Sequence, residues 1–385
     1  MKKYIIFTFL ILFLPLTVFG LDINSKYVYF YNIDRDNVIY ELNSTDEISI
    51  ASMTKIMTAI VAIENIDDLD ATVTLTSNDF KGLKEANAST AGFKTGEVVT
   101  YRDLLYGLML PSGADAALAL SNNIAGSEKK YVELMNQKAE ELNLENTHFS
   151  NTTGLDAKDH YSSVYDVSII LKYALNNEEF KEIFTTKKYV TSNKRMTFES
   201  TLYSMSKRNK LDTEYILGSK SGYTYDAGLC LASIAEYNGE VYLLVTAGAD
   251  YKSKKPYHIL DSHEIYQYYF NNYSYKTVMK KGDSILTLTK EDGSSIEIFA
   301  DDTLEYYLNN DANVEVKYDG ITELTNDLKK GDYLGLYSIY ADDKLLYSKE
   351  IFLSEDVVNR NSVILSLIVV ITGCISVISL KQKRS

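Results

Sequence analysis

The residue pattern predicts a mixed α/β (α+β) body, then a small all-β domain, then a C-terminal transmembrane helix. Three observations carry this. Strand patterns at both ends of the body enclose a run of helical ones. The texture changes near residue 274 to short alternating strands. Finally, Ser362 to Leu380 is 19 residues without a charge. A hydrophobic fraction of 45% with 12% aromatics is enough to build cores, which excludes a disordered chain.

The elements follow in order. Residues 1–20, MKKYIIFTFLILFLPLTVFG, have a basic start, an apolar run and a small-residue end, the pattern of a signal peptide; an N-terminal anchor is the other reading. Tyr27 to Tyr40 alternate as two strands around Asp34-Arg35-Asp36-Asn37. Ser52 opens a helix whose apolar stripe runs through Ile56, Ile60 and Ile63. Further helices are expected at Arg102–Leu110, Asp115–Ile124, Lys130–Leu142 and Tyr165–Ala174. Residues 228–237 and 241–249 read as an antiparallel pair across Asn238-Gly239, and His258 to Phe270 as a closing helix. From residue 274 to 356, SILTLTK, SIEIFA, NVEVKYD, YLGLYSIY and LLYSKEIFL are punctuated by Gly, Asp and Asn, which predicts the all-β domain. The uncharged run 362–380 spans about 28 Å as a helix, close to bilayer thickness, and the basic tail 381–385 belongs on the cytoplasmic side. The body, residues 21–273 with the β domain, is therefore expected outside the cell, on a single-pass C-terminal anchor in the cell membrane.

Composition narrows the chemistry. With 39 basic and 53 acidic side chains, the net charge of −14 disfavours nucleic acid as a partner. No glycine-rich phosphate loop is present, and four histidines with two cysteines give no metal spacing, so no cofactor is expected. Cys230 lies in the body and Cys374 in the anchor, so the two do not pair. The 32 tyrosines, without any tryptophan, are read as core and strand packing.

Three short motifs carry chemistry, and each has a decoy. Ser52-Met53-Thr54-Lys55 is S-x-x-K, which on a helix sets a lysine amine one turn from a serine hydroxyl, near free N–H groups. The same spacing recurs at Ser127–Lys130 and Ser204–Lys207, in charged surroundings. Lys220-Ser221-Gly222 is K-[ST]-G just before the late strand pair, where a strand edge can align with a peptide and its carboxylate. Lys94-Thr95-Gly96 matches it literally but reads as a surface turn. Between them, Ser112-Gly113-Ala114 stands where S-x-N is expected. Ser121-Asn122-Asn123 is a literal S-x-N, but about 12 Å further along a helix, and is rejected.

In that order the motifs resemble the penicillin-recognising serine enzymes. The neighbouring strings IASMTKIMTAIVAIE, DLLYGLMLPSGADAALALS, ELMNQKAEELNLENTHFSNTTGLDAKDHYSSVYD and ILGSKSGYTYDAGLCLAS resemble the serine D-alanyl-D-alanine carboxypeptidases, the low-molecular-mass penicillin-binding proteins. The resemblance covers residues 27 to about 270. It implies a transpeptidase/β-lactamase-like domain with an antiparallel sheet between helical layers. The implied substrate is the peptidoglycan stem peptide ending in D-Ala-D-Ala, with β-lactam antibiotics as covalent inhibitors. It implies Ser52 as acylated nucleophile, Lys55 as base and Ser112 as proton shuttle. Lys220 and Ser221 would bind the terminal carboxylate within a substrate-binding strand that includes Gly222, Tyr223 and Thr224. Backbone N–H groups of Ser52 and Tyr223 would form the oxyanion hole. Burial and the Lys220 cation are expected to push the Lys55 pKa down.

Ala114 departs from the pattern: it removes an amide expected to hold Lys55 and the substrate. Where the family often carries an arginine, this chain has Lys254 and Lys255. His148 and His160 are read as structural, His160 ordering a loop. Two alternatives stand beside the carboxypeptidase. A β-lactamase needs a deacylating carboxylate, yet the E-x-x-L-N string occurs only at Glu305–Asn309, in the β domain. A non-catalytic wall-binding homologue would follow if Ala114 abolished turnover.

Overall fold

The structure, a computed structural model, describes residues 21–354 and Val357. The expected signal segment 1–20, the uncharged run 362–380 and the tail 381–385 lie outside the described residues. Among the described residues, no helix is long and apolar enough to cross a membrane. The chain divides into two compact units, one ending at Tyr268 and the other beginning at Tyr269.

In the first unit β1 (Tyr27–Asn32) and β2 (Asn37–Leu42) precede α1 (Thr54–Glu64). Two short strands, β3 (Thr72–Thr74) and β4 (Val98–Thr100), pair ahead of α2 (Tyr101–Met109), α3 (Ala114–Ala125) and α4 (Glu128–Glu141). Then come α5 (Val164–Ala174), α6 (Glu178–Thr185), the pair β5 (Lys188–Val190) and β6 (Thr197–Glu199), and α7 (Thr201–Asn209). Strands β7 (Ile216–Thr224), β8 (Gly228–Tyr237) and β9 (Glu240–Ala249) lead into α8 (Tyr257–Asn272).

The central sheet has the order β2-β1-β9-β8-β7, with every neighbour antiparallel. β8 and β9 join through Asn238 (φ 53°) and Gly239 (φ 80°), the two positive-φ residues that a tight hairpin requires. Period-2 alternation on β1 covers both faces: Tyr29 meets Tyr165 of α5 edge-on at 5.3 Å, while Phe30 meets Tyr266 of α8 at 5.5 Å. The sheet thus lies between helical layers, as the resemblance implied.

α1 is the centre of the larger core. The sequence suggests one apolar stripe, but Thr54 through Ile63 are all buried. The helix is enclosed on every side by α2, α3, α4 and α5, so its two threonines and its lysine must find partners inside the protein.

The second unit contains β10 (Tyr273–Met279), β11 (Ser284–Lys290), β12 (Ser295–Phe299), β13 (Leu304–Asn309), β14 (Val314–Gly320), β15 (Glu323–Leu324), β16 (Tyr333–Ala341) and β17 (Lys344–Phe352). They form sheets ordered β10-β13, β12-β11-β15 and β14-β16-β17 around a core that includes Leu288, Ile298, Tyr337, Ile339 and Ile351. It is all-β, as the alternating runs predict.

Candidate active site

Ser52 lies in a 3-10 turn, Ala51–Met53, that leads directly into α1. The turn is held by Met53 N–H donating to the Ile50 carbonyl at 3.1 Å and by Thr54 Oγ1 donating to the Ala51 carbonyl at 2.9 Å. Ala51 occupies the left-handed region at φ 47°. One turn on, Lys55 is 2% exposed, and its Nζ reaches Ser52 Oγ at 2.9 Å and the carbonyl oxygen of Thr153. Burial pushes the Lys55 ammonium down to about 7, against the opposing pull of the Asp115 carboxylate.

Lys220 comes from β7, the edge strand of the sheet. It is 1% exposed, and its Nζ donates to Ser112 Oγ at 2.9 Å and to the Ser221 carbonyl at 2.8 Å. Its pKa is held well below that of an ordinary lysine, first by burial and then by the charge of Lys55. Burial is the leading cause at both lysines, and the like charge of Lys55 adds to it at Lys220. Two ammoniums this deeply buried do not both keep their protons easily.

The middle motif is locked from behind. Ser112 has φ 63°, an unusual conformation for a side-chain-bearing residue. The Asp115 carboxylate accepts from the backbone N–H groups of Ala91 (2.7 Å), Gly92 (3.0 Å) and Phe93 (3.1 Å), and Ala114 N–H donates to the Ser89 carbonyl at 2.8 Å. Ala114 begins α3 and packs with Leu83, Ala88 and Leu118, so it contributes no polar group. Lys55 is instead held by a main-chain carbonyl, that of Thr153.

The loop 150–157, beside the His160 that the sequence marks as a loop organiser, provides this carbonyl, a main-chain group that no motif singles out. Asn151 Oδ1 accepts from Thr153 N, Thr153 Oγ1 and Gly154 N, while Glu128 Oε1 accepts from Thr152 N and Oγ1. Thr58 Oγ1 donates to the Thr152 carbonyl at 2.8 Å. Gly154, at φ 81°, approaches so closely that a Cβ there would stand 2.0 Å from the Ala51 carbonyl oxygen. His160 ties the loop to α1. Its Nδ1 accepts from Ser150 N–H at 3.1 Å, which leaves Nε2 as the donor to Thr54 Oγ1 at 2.8 Å. Burial lowers its pKa to about 4, so it stays neutral near pH 7 and serves as an organiser.

Gly222 performs the matching service from the sheet side: a Cβ on it would lie 2.9 Å from both Ser52 N and Ala51 Cβ. One exposed carboxylate fastens the open end. Asp156 Oδ1 accepts from Ser49 Oγ (2.7 Å) and Thr224 Oγ1 (2.6 Å), and Oδ2 from Asp226 N–H (3.3 Å). It joins the segment before Ser52 to the end of β7, which carries Tyr223. Asp156→Ala is expected to lower kcat by up to about 10²-fold through misplacement of these segments, with a smaller change in KM. Steady-state kinetics check this; an unchanged kcat would make the bridge structural only.

Ser52, Lys55, Ser112 and Lys220 thus meet in one site, with Ser221, Gly222, Tyr223 and Thr224 following on the same strand. The decoys have local tasks. Ser127 caps α4 by accepting from Lys130 N–H, and Lys94–Gly96 is a turn before β4 with Gly96 at φ 81°. Asn122 donates to Asp79, and Asn123 to the Ala119 carbonyl one turn back. Lys254 is exposed, and the Lys255 ammonium lies 5.8 Å from the Tyr257 ring centre. Burial raises the Cys230 thiol to about 12, which leaves it unreactive. Among the described residues no cluster of His, Cys, Asp and Glu could hold a metal ion.

A serine hydroxyl touching a buried lysine amine, beside a second lysine and serine on an open strand edge, can acylate on the serine and orient a carboxylate-ended peptide. The comparisons with known proteins agree. The family described as D-alanyl-D-alanine carboxypeptidase matches residues 17–251, and the C-terminal domain of penicillin-binding protein 5 matches residues 273–359. D-alanyl-D-alanine carboxypeptidase DacF of Bacillus subtilis is 29% identical over 340 residues, 84% of each chain. The crystal structure of the Streptomyces K15 DD-transpeptidase shares 30% identity with a TM-score of 0.58, covering 64% of this chain and 97% of that one. Penicillin-binding protein 5 from Haemophilus influenzae, at 23% identity and a TM-score of 0.62 over 88% of this chain and 99% of that one, shares the fold. The family match takes in well over half of the chain, the whole of the site included: this protein belongs to the D-alanyl-D-alanine carboxypeptidase family.

Proposed function

We propose that this chain is a serine peptidase that removes the terminal D-alanine from peptidoglycan stem peptides ending in D-Ala-D-Ala, through an acyl-enzyme on Ser52. The observation that carries this reading is the contact of Lys55 Nζ with Ser52 Oγ at 2.9 Å in a site closed to bulk water around the lysine. Ser52 Oγ attacks the carbonyl carbon of the penultimate D-alanine, and its proton passes to neutral Lys55 Nζ. Charge on the carbonyl oxygen develops against the N–H groups of Ser52 and Tyr223; removing one such donor from an enzyme costs about 10²–10³ in rate. Collapse breaks the C–N bond, and the leaving amine takes a proton by way of Ser112. Water then hydrolyses the ester. Lys220 and Ser221 hold the terminal carboxylate. Its arrival favours the ammonium of Lys220, which in turn keeps Lys55 neutral.

β-lactam antibiotics acylate the same serine, as substrate mimics. A β-lactamase is not favoured, since Glu305–Asn309, the E-x-x-L-N string, is β13 of the all-β unit rather than part of the unit that carries Ser52. A non-catalytic homologue is not favoured either, because the Thr153 carbonyl supplies the hold on Lys55 that Ala114 lacks. For location, the reading is a secreted body tethered by residues 362–380 to the outer face of the cell membrane. What supports it is the charge-free run with its basic flank.

Intact-protein mass after incubation with penicillin tests the reaction. The parent should gain the mass of one drug molecule and release D-alanine from a D-Ala-D-Ala peptide; Ser52→Ala should do neither. Labelling of both proteins would move the nucleophile elsewhere, and rapid drug hydrolysis by the parent would revive the β-lactamase.

A further inference from the structure

One end of the sheet β14-β16-β17 in the second unit carries bare apolar side chains. Tyr333 opens β16 and is 52% exposed; Phe352 closes β17 and is 38% exposed. The two are direct partners across the strands, so both rings stand on one face, with centres 5.6 Å apart. Ile321, one residue past β14 at the same end, is 36% exposed. The next residues along, Leu334 and Leu353, belong to the core instead, and the rings are left outside it.

The chain leaves the unit at this same end. Leu353 N–H donates to the Asp332 carbonyl at 2.8 Å, Gly331 N–H to the Leu353 carbonyl at 2.7 Å, and Val357 N–H to the Leu328 carbonyl at 3.3 Å. Val357 is buried in the core, so the exit is fixed on the unit. Only residues 358–361 separate it from the charge-free run that begins at Ser362. The five Cα-to-Cα steps from Val357 to Ser362 reach at most about 18 Å. A headgroup layer takes up about 5–7 Å of that. The end of the sheet therefore stands close to any bilayer that the run enters.

We infer that Tyr333 and Phe352, with Ile321 beside them, seat the second unit on the lipid surface, the rings lying at headgroup level. The inference rests on the location reading above. Tyrosine suits that depth because its ring is apolar while its hydroxyl stays wet. Charge at this end is mixed, Lys329 and Lys330 against Asp327 and Asp332, so the rings decide the contact and a lipid without net charge suffices. A short tether keeps the surface at hand, and even a weak contact then persists. The second unit keeps one orientation on the bilayer instead of swinging on its link.

The chain has no tryptophan, so a single one reports its own surroundings. Tyr333→Trp and, independently, Phe352→Trp are made in the full chain, which is reconstituted into phosphatidylcholine vesicles. Leu345→Trp is the control, 41% exposed at the other end of β17 and about 24 Å away along the strand. Emission of the first two should shift to the blue, and should fall by about half when the lipid carries bromine on its acyl chains. The control should do neither. A blue shift that bromine leaves unquenched would put a second copy of the chain on the rings and overturn the lipid contact. Equal quenching of all three, or of none, would overturn it as well while leaving the tether intact. Chains that fail to float with the vesicles would overturn the location reading and the inference together. Should one ring variant fail to fold, the other decides.

Discussion

Lys55→Arg is expected to lose acyl-enzyme formation by about 10³–10⁴-fold, although the positive charge is retained. In the proposed role of base Lys55 must be neutral, and burial brings its pKa to about 7, within reach of working pH. A guanidinium keeps its proton far above that range. The pH profile carries the same signature with a definite sign. A base is useful once deprotonated, so kcat/KM in the parent should rise with pH through about 7 and then level. The residual activity of Lys55→Arg should lack that step. Stopped-flow acylation by a chromogenic penicillin measures both. A variant that acylates at the parental rate would remove Lys55 from the role.

Gly154→Ala is expected to damage fold and activity together. The residue holds φ 81°, where a side chain costs about 1–2 kcal/mol. The new methyl would also stand 2.0 Å from the Ala51 carbonyl oxygen and 3.0 Å from Ser52 N. The turn around Ser52 must then separate from the loop that presents the Thr153 carbonyl, and Lys55 is left short of a partner. A loss of several kcal/mol in stability and at least about 10² in acylation rate is the expected outcome. Thermal melting and penicillin labelling check the two halves separately. Unchanged labelling would mean that the loop can yield without disturbing the serine.

How far such a site can be read in advance depends on which atoms perform the task. Ser52, Lys55, Ser112 and Lys220 are assigned roles that side chains perform; motif order and local patterning single out Ser52, Lys55 and Lys220 among their decoys, whereas Ser112 rests on the family resemblance. Thr153 acts through its carbonyl. Its position is set by Asn151, Glu128 and Thr58, which are distant in sequence or chemically ordinary, so no spacing advertised it. Asp156 is equally silent, being one of two acidic residues in DAKD. The fold shows the same division. β1, β2, β8 and β9 alternate clearly and turn on recognisable residues. β7 reads ILGSKSGYT, whose glycines and serines carry little strand preference. It becomes a strand because pairing with β8 and close contact with the Ser52 turn demand small residues there. The second core gave alternation but not its register: β10, β13 and β15 were missed, the last being only two residues long.

Ala51 and Ser112 bear a side chain in backbone wells that glycine would occupy without penalty, one beside the serine hydroxyl and one carrying a site hydroxyl itself. Each stores on the order of 1–3 kcal/mol that the surrounding packing must offset. The protein is thus held below its own stability maximum at two points beside the proposed nucleophile and proton shuttle. Efforts to raise its heat resistance by relaxing the backbone would find their easiest gains there, and would spend them in activity. Safer gains lie at surface positions that touch none of the site residues.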